Sequence, residues 1–496
     1  MQEGLKRIKT QHPGDVVLQR QRGVRRVRRV WGVSALFSSA YGNIGSSIYY
    51  ALGVTAAYAL GFTPLVLIIS GILFAFTAMS YAEGTACIPD ANGSFGFARR
   101  GFNELISFIA GWALMLGYVV TIALSAFAVA NHLATFWPDL GRWPINSLMA
   151  ILLIGFLAVF NILGVREGPR FNIAVAGTNI LTQALLAVLG LSLLLNWETV
   201  LGNIRWGIAP TWEQLAFGIA TSMIAYTGVE EISRMAEEAR HPSRSVPQAA
   251  ILAIVAVLGL YVPISLAGLS AMPVVLAKDG GWTTALASEW RLAPLLGIAK
   301  SLPGLLGLVL RLWIGFFAPI VLLVAAYGSI LGASRLSYAM GQHGQMPPLL
   351  SRVHPRFHTS PIAIVIYSTV AAFLVLPGQI DFLAEVYAFG AMLAFALSHA
   401  AIVALRVHEP KMPRPFKSPF NIGLAGREVP LSAVLGCLGT GGIWLIVLLT
   451  RHAGRPFGLG WMVAGVLLYI IYRRWRGLPI LTHRHRVADP GQGRHL

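Results

Sequence analysis

Glu230 and Glu231 stand next to each other, one residue beyond Thr227 and Gly228, at the end of a largely apolar stretch. Adjacent carboxylates in poorly solvated surroundings can share a proton, because the first charge disfavours the second. A second unusual stretch is YGNIGSSIYYALG, Tyr41 to Gly53, where Gly42, Gly45, Ser46 and Ser47 replace the leucines an apolar helix would carry. Glycine weakens a helix, and serine competes for its backbone hydrogen bonds. A helix that restarts near Ser46 and Ser47 would turn free N–H groups and a positive dipole end toward a carboxylate. Carbonyls freed before that point, and around Ile224, Ala225 and Thr227, would accept from an ammonium or a cation. The chemistry is therefore non-covalent capture of a small zwitterion, of which an α-amino acid is the obvious case. No nucleophile with a paired base and no spaced His or Asp cluster of metal-ligand type is found, so no enzyme, cofactor or metal centre is expected.

The elements that must position these residues are membrane spans. The chain has 496 residues, 56% hydrophobic and 12% charged, with mean hydropathy +0.66, far outside the soluble range. Apolar runs predict twelve spans at 31–55, 62–86, 104–136, 145–163, 171–195, 212–233, 247–271, 303–333, 361–377, 381–405, 430–450 and 458–474, most of them near the ~20 residues a bilayer core requires and two clearly longer. The net charge of +18 is a topology signal rather than a nucleic-acid footprint. Of the 38 Lys and Arg, 30 fall in one alternating set of loops and tails and 8 in the other. Cytoplasmic loops are enriched in both residues, so both termini are expected inside. Residues 1–30, with RQRGVRRVRRVWG and no apolar leader, read as a basic cytoplasmic tail. Cys87 and Cys437 imply no disulfide framework.

Two candidate breaks therefore sit near mid-depth, in spans one and six. Backbone can leave the helical pattern in a membrane only where it is buried in protein or lines a cavity. Interrupted segments at matching places in two halves point to the site of a transporter built from inverted repeats. The competing reading is that Gly42 and Gly45 merely allow close helix packing.

Four motifs in order also carry a family likeness. IGSSIYY at 44–50, SYAEGTACIPDANGSFGFARRGF at 80–102, AYTGVEEISRMAEEARHPSRSVPQA at 225–249 and SRLSYAMGQHGQMPPLLSRVHPRFHTSPIAI at 334–364 resemble segments of the amino acid–polyamine–organocation permeases. The resemblance runs from about Val30 to Arg406. It implies an all-α polytopic membrane fold like that of the leucine transporter, a 5+5 inverted repeat with helices 1 and 6 discontinuous. The transport core would be 31–406, divided into repeats 31–200 and 205–406. Helices 11 and 12 would occupy 407–475, and 476–496 would be a cytoplasmic tail.

By the same resemblance Ser46 and Ser47, with Gly45 and Ile44 beside them, would hold a substrate carboxylate through main-chain N–H groups. The carbonyls of Asn43, Ile224, Ala225 and Thr227 would take the amine. Tyr226 would gate the pocket beside Gly228, and Glu230 falls on a glutamate that responds to protons in some members. Two departures stand out: Ser47 replaces the family's second glycine, and Gln183 lies near a lysine of some proton-coupled relatives. The expectation is secondary transport of an amino acid or related amine across the cytoplasmic membrane, coupled to protons rather than sodium, with Glu230, Glu231 and Gln183 in coupling or gating. No nucleotide-binding loop is present to supply ATP energy.

The same YGNIGSSIYYALG also looks like the G-D-I-G-T-S-P-L-Y of potassium uptake permeases, with Asn43 in place of their aspartate. A transporter-like amino acid sensor is the third alternative. Among the other polar residues, Glu83 is expected to be structural, paired with Arg99 or Arg335. Glu237, Glu238, Arg240 and Arg244 read as a salt-bridged inner gate or a solvated face. His132, Glu385 and His399 read as packing or helix–helix hydrogen bonds. The long connector 272–302 is expected either to cap the outer face with short helices or to be unstructured.

Overall fold

In a bilayer the main chain has no water to bond, so each apolar run must close its own hydrogen bonds, and this chain does so with helices. The computed structural model describes residues 32–88, 93–165, 168–234, 239–278, 280–424, 427–450 and 453–481. The tail 1–30, Glu237, Glu238 and residues 482–496 lie outside them.

Helices α1 (Val33–Ala59) and α2 (Thr63–Cys87) are joined by a 3-10 turn at Leu60–Phe62. A short α3 (Ser94–Gly101) precedes α4 (Glu104–Leu133), α5 (Ile145–Ile162), α6 (Pro169–Leu193) and the short α7 (Trp197–Gly202). Next come α8 (Trp212–Ser222), a 3-10 turn at Met223–Tyr226, α9 (Val229–Arg234) and α10 (Pro242–Ala271). After them run α11 (Pro294–Ser301), α12 (Gly304–Gln342), α13 (Pro361–Val375), α14 (Ile380–His408), α15 (Leu431–Thr450) and α16 (Gly454–Trp475). Proline opens five of these helices, α2, α6, α10, α11 and α13, where its missing N–H costs nothing. Asn103 caps α4 by accepting from Ile106 N at 2.9 Å, and Thr211 with Gln214 forms a reciprocal capping box on α8.

Among the described residues nine helical stretches are long and apolar enough to cross a membrane, with α1 and α2 counted as one stretch; α13 is shorter. The protein is thus a mostly helical, multi-pass membrane protein. The whole of the most apolar 18-residue stretch of α4 is buried, which makes it the axis of the bundle. It packs on α12, α14, α5, α13 and α16. Helix α1 runs beside α6, α8, α10 and α12, and α2 lies chiefly on α10 and α15. The described residues of the connector 272–302 form structure of their own: β1 (Val275–Leu276) pairs with β2 (Trp282–Thr283), and Leu286, Leu295 and Ile298 are sealed in the core.

One expectation fails here. Helix α1 is continuous from Val33 to Ala59, through Gly42, Gly45, Ser46 and Ser47, so the first helix is not discontinuous. The reason is packing: a Cβ on Gly45 would fall 2.5 Å from the Tyr41 ring and 2.9 Å from Asn179 Nδ2. The glycine lets α1 and α6 touch, as small residues do between membrane helices. The Ser46 hydroxyl donates back to Asn43 O at 2.6 Å, a bond compatible with the helix.

Glu83 is paired otherwise than expected. Its carboxylate receives Arg406 Nε at 2.5 Å and Nη2 at 2.9 Å, and Ser418 N at 2.8 Å, while Arg414 Nε stands 3.8 Å away. Arg99 goes instead to Glu104 at 2.8 Å. The connector after α14 folds back over this cluster through β3 (Asn421–Leu424) and β4 (Arg427–Pro430), a register that sets Leu424 opposite Arg427. Glu428 on β4 bonds Lys417 at 2.7 Å, which holds its carboxyl below the usual carboxylate range.

Candidate functional site

The sixth apolar segment is interrupted where its residue types foretell it. Helix α8 tightens into the 3-10 turn Met223–Tyr226, Thr227 then turns extended at ψ 140, and Gly228 takes φ +113 before α9 begins. Only glycine adopts that φ freely, so a residue without a Cβ is required at this point. A second constraint coincides with it: a Cβ on Gly228 would lie 3.0 Å from Asn43 Cβ and 3.1 Å from Ile44 Cγ1. The break is therefore pressed against the middle of α1.

Hydroxyl groups bind the two segments together. Ser47 Oγ and Thr227 Oγ1 are 2.6 Å apart, and Tyr50 OH donates to Ser47 Oγ at 3.4 Å. Ile224 O accepts from Thr227 N at 3.3 Å and from its hydroxyl at 3.1 Å. The Glu230 carboxylate reaches back to Gly228 N at 3.3 Å, and Glu231 N donates to Gly228 O at 3.0 Å. Both carboxylates are buried.

Asn43, Ile44, Ser47, Thr227 and Gly228 are thus brought together. Tyr226 points elsewhere: it stacks on Phe74 of α2, tilts against Tyr261 of α10 and donates to Leu67 O. Gln183 lies behind α1 rather than at the break. Its amide donates to Gly45 O at 2.6 Å and to Asn179 Oδ1 at 3.0 Å, and its oxygen receives Tyr41 OH at 2.8 Å. Main-chain N–H groups at Ser46 and Ser47 belong to the continuous helix.

Three contributors are absent from the sequence-based set. Tyr261 OH donates to Ile44 O at 2.7 Å, so the carbonyls of Ile44 and Gly45 each receive a side-chain donor from a different helix. Tyr49 OH donates to Asn179 Oδ1 at 2.9 Å. Tyr50 closes the hydroxyl group at Ser47. The available signal was the spacing of Asn179 and Gln183, four apart on one face of an apolar helix. The other isolated polar residues make contacts between or within helices: His399 faces Thr77 and Ser80, Glu385 accepts Gly454 N at 2.7 Å, and His132 bonds Ala128 O at 2.8 Å. Among the described residues no group of His, Cys, Asp and Glu could hold a metal ion.

Such an arrangement, a buried backbone interruption among hydroxyl, amide and carboxylate groups, suits reversible binding of a small polar solute. Comparison with known proteins bears on which. The sequence model of a family described as amino acid permease matches residues 30–452. The chain is 25% identical over 425 residues to the branched-chain amino acid permease BcaP of Bacillus subtilis, covering 82% of this chain and 84% of that protein. It is 24% identical over 431 residues to the methylthioribose transporter of the same organism, covering 83% and 86%. Against the human b(0,+)-type amino acid transporter 1 it is 22% identical over 483 residues, covering 96% and 92%.

Proposed function

The chain belongs to the amino acid permease family, and from that premise we propose that it is a secondary active transporter of amino acids or related amines in the cytoplasmic membrane. The observation that carries this reading is the interruption at Thr227 and Gly228 laid directly against Asn43, Ile44 and Ser47 of α1. Backbone leaves the helical pattern at membrane depth only where it is buried in protein or lines a cavity, and an interruption there sets polar groups where a solute can meet them.

In the proposed architecture twelve spans form a ten-helix core of two inverted repeats followed by two further helices, with both termini cytoplasmic. Alternating access then consists of one group of helices rocking against another around the fixed site. Substrate lies between Asn43–Ser47 and Ile224–Gly228. Protons are the coupling ion, with Glu230 and Glu231 the carboxylates that exchange them; two buried carboxylates side by side give the charge balance a strong dependence on protonation.

Uptake into vesicles reconstituted with the purified chain tests this. Labelled amino acids, labelled methylthioribose and rubidium are offered with and without an inward proton gradient. Accumulation of an amino acid that collapses with the gradient is expected. Rubidium accumulation without amino acid flux would favour the potassium reading, and binding without any flux the sensor reading.

A further inference from the structure

The main-chain acceptors near the break are largely engaged already. Asn43 O holds the Ser46 hydroxyl, Ile224 O holds Thr227 through both its N–H and its hydroxyl, and Ile44 O holds Tyr261. One strong acceptor at the same place has no hydrogen-bond partner among the described residues: Asn43 Oδ1. A buried amide oxygen with no donor is uncommon, because its lost hydration is not replaced.

Its surroundings are equally distinctive. From Ile44 to Leu52 of α1 the side chains are at 0–1% exposure, whereas Asn43 keeps 7%. Glu230, across the break, keeps 8%. Asn43 and Glu230, on the two sides of the break, thus both retain a little accessible surface where their neighbours on α1 retain almost none. The Asn43 side chain also fills the space that a Cβ on Gly228 would need, with Asn43 Cγ 3.2 Å from that position. Asn43 thus stands at the interruption itself, more than nine-tenths buried, with its oxygen unsatisfied.

We propose that the side-chain amide oxygen of Asn43, rather than its main-chain carbonyl, receives the ammonium group of the solute and is the α1 residue that selects amines over otherwise identical hydroxy acids. The inference rests on the amino acid reading above and deepens it. An ammonium carries three donors and no acceptor, which matches an orphan acceptor near a buried carboxylate. A neutral amide accepts from an amine without adding a fixed negative charge that would hold a bare metal cation.

The experiment uses the full chain purified in detergent. The twenty proteinogenic amino acids are screened by equilibrium binding, and the tightest is compared with the 2-hydroxy acid of the same side chain. A hydrogen bond to a charged donor should favour the amino acid by about 10- to 100-fold. Asn43→Ala, or Asn43→Ser if the alanine variant does not yield folded protein, is expected to weaken the amino acid by that factor. The hydroxy acid, whose hydroxyl donates a single neutral hydrogen bond to the same oxygen, should weaken about tenfold less, so that the preference shrinks by about that factor. Asn43→Asp, which keeps an acceptor in place, should retain the preference. Equal weakening of both ligands, or an unchanged preference in Asn43→Ala and Asn43→Ser, would overturn the proposal and return the amine to main-chain carbonyls while leaving the amino acid reading intact. Failure of the unaltered chain to bind any amino acid would overturn that reading and the inference with it.

Discussion

Glu83→Gln is the most quantitative test of how the structure holds together. Glu83 and Arg406 have side chains only 3% and 2% exposed, and the pair is bidentate, with a main-chain donor from Ser418 added. Removing one partner of a buried ion pair leaves the other charge uncompensated, which costs about 3–5 kcal/mol. Here the lower end applies, because Arg406 Nη1 keeps Glu428 at 3.4 Å, a carboxylate whose side chain is 58% exposed. The expected loss is therefore about 3 kcal/mol. Replacing both charges with apolar residues, Glu83→Leu with Arg406→Met, removes the uncompensated charge as well as the attraction. It should cost only about 1–2 kcal/mol, the residue being the orphaned Ser418 N–H and the weakened hold on Arg414. Chemical unfolding in mixed micelles, followed by tryptophan fluorescence on the single and double variants, measures both numbers. A cost below about 1 kcal/mol for Glu83→Gln, or a double variant as unstable as the two singles added together, would show that the pair is not desolvated as its burial implies.

Three further outcomes are expected. Gly45→Ala must push its Cβ against Tyr41 and Asn179, whereas Gly42 has nothing within 4 Å of the corresponding position. The first should destabilise by about 1–3 kcal/mol and the second by less than about 0.5 kcal/mol, since overpacking is penalised and open space is not; thermal melts in detergent distinguish them. Gly228→Ala combines a φ of +113 with a 3.0 Å approach to Asn43 Cβ. A loss of about 1–3 kcal/mol is expected from strain alone, together with loss of vesicle uptake in protein that still purifies as a single species. Gln183→Leu strips partners from Tyr41 OH and Gly45 O. A destabilisation of about 1–3 kcal/mol is expected from the buried donor left behind, read as a lower midpoint in the same melts.

The helices were legible because they are set by local hydrophobicity over long windows. The expected segments 104–136, 145–163 and 430–450 agree within a few residues with α4, α5 and α15. Segments with amphipathic continuations were cut short. Helix α12 was expected to stop at 333 and runs on to Gln342, where Ser337 bonds Leu350 O and Gly341 packs on Ser351. The candidate site was legible in part for the same reason. Thr227 and Gly228 announce a break that forms, whereas Gly42, Gly45, Ser46 and Ser47 announce one that does not, since residue types alone do not say what packs against them.

What sequence alone settled is therefore the apolar patterning, the interruption of the sixth segment and the family to which the chain belongs. Tertiary structure decided the rest. A glycine at mid-helix can end a helix or admit a neighbour, and its own sequence does not distinguish these. At Gly45 the neighbour is Asn179, more than a hundred residues away, while at Gly228 a left-handed φ ends the helix. Partner choice for Glu83 was equally out of local reach, because Arg406 lies 323 residues along the chain. Buried charges and orphaned acceptors are fixed by which surfaces meet, and a desolvated group takes whatever partner the packing brings within hydrogen-bonding distance.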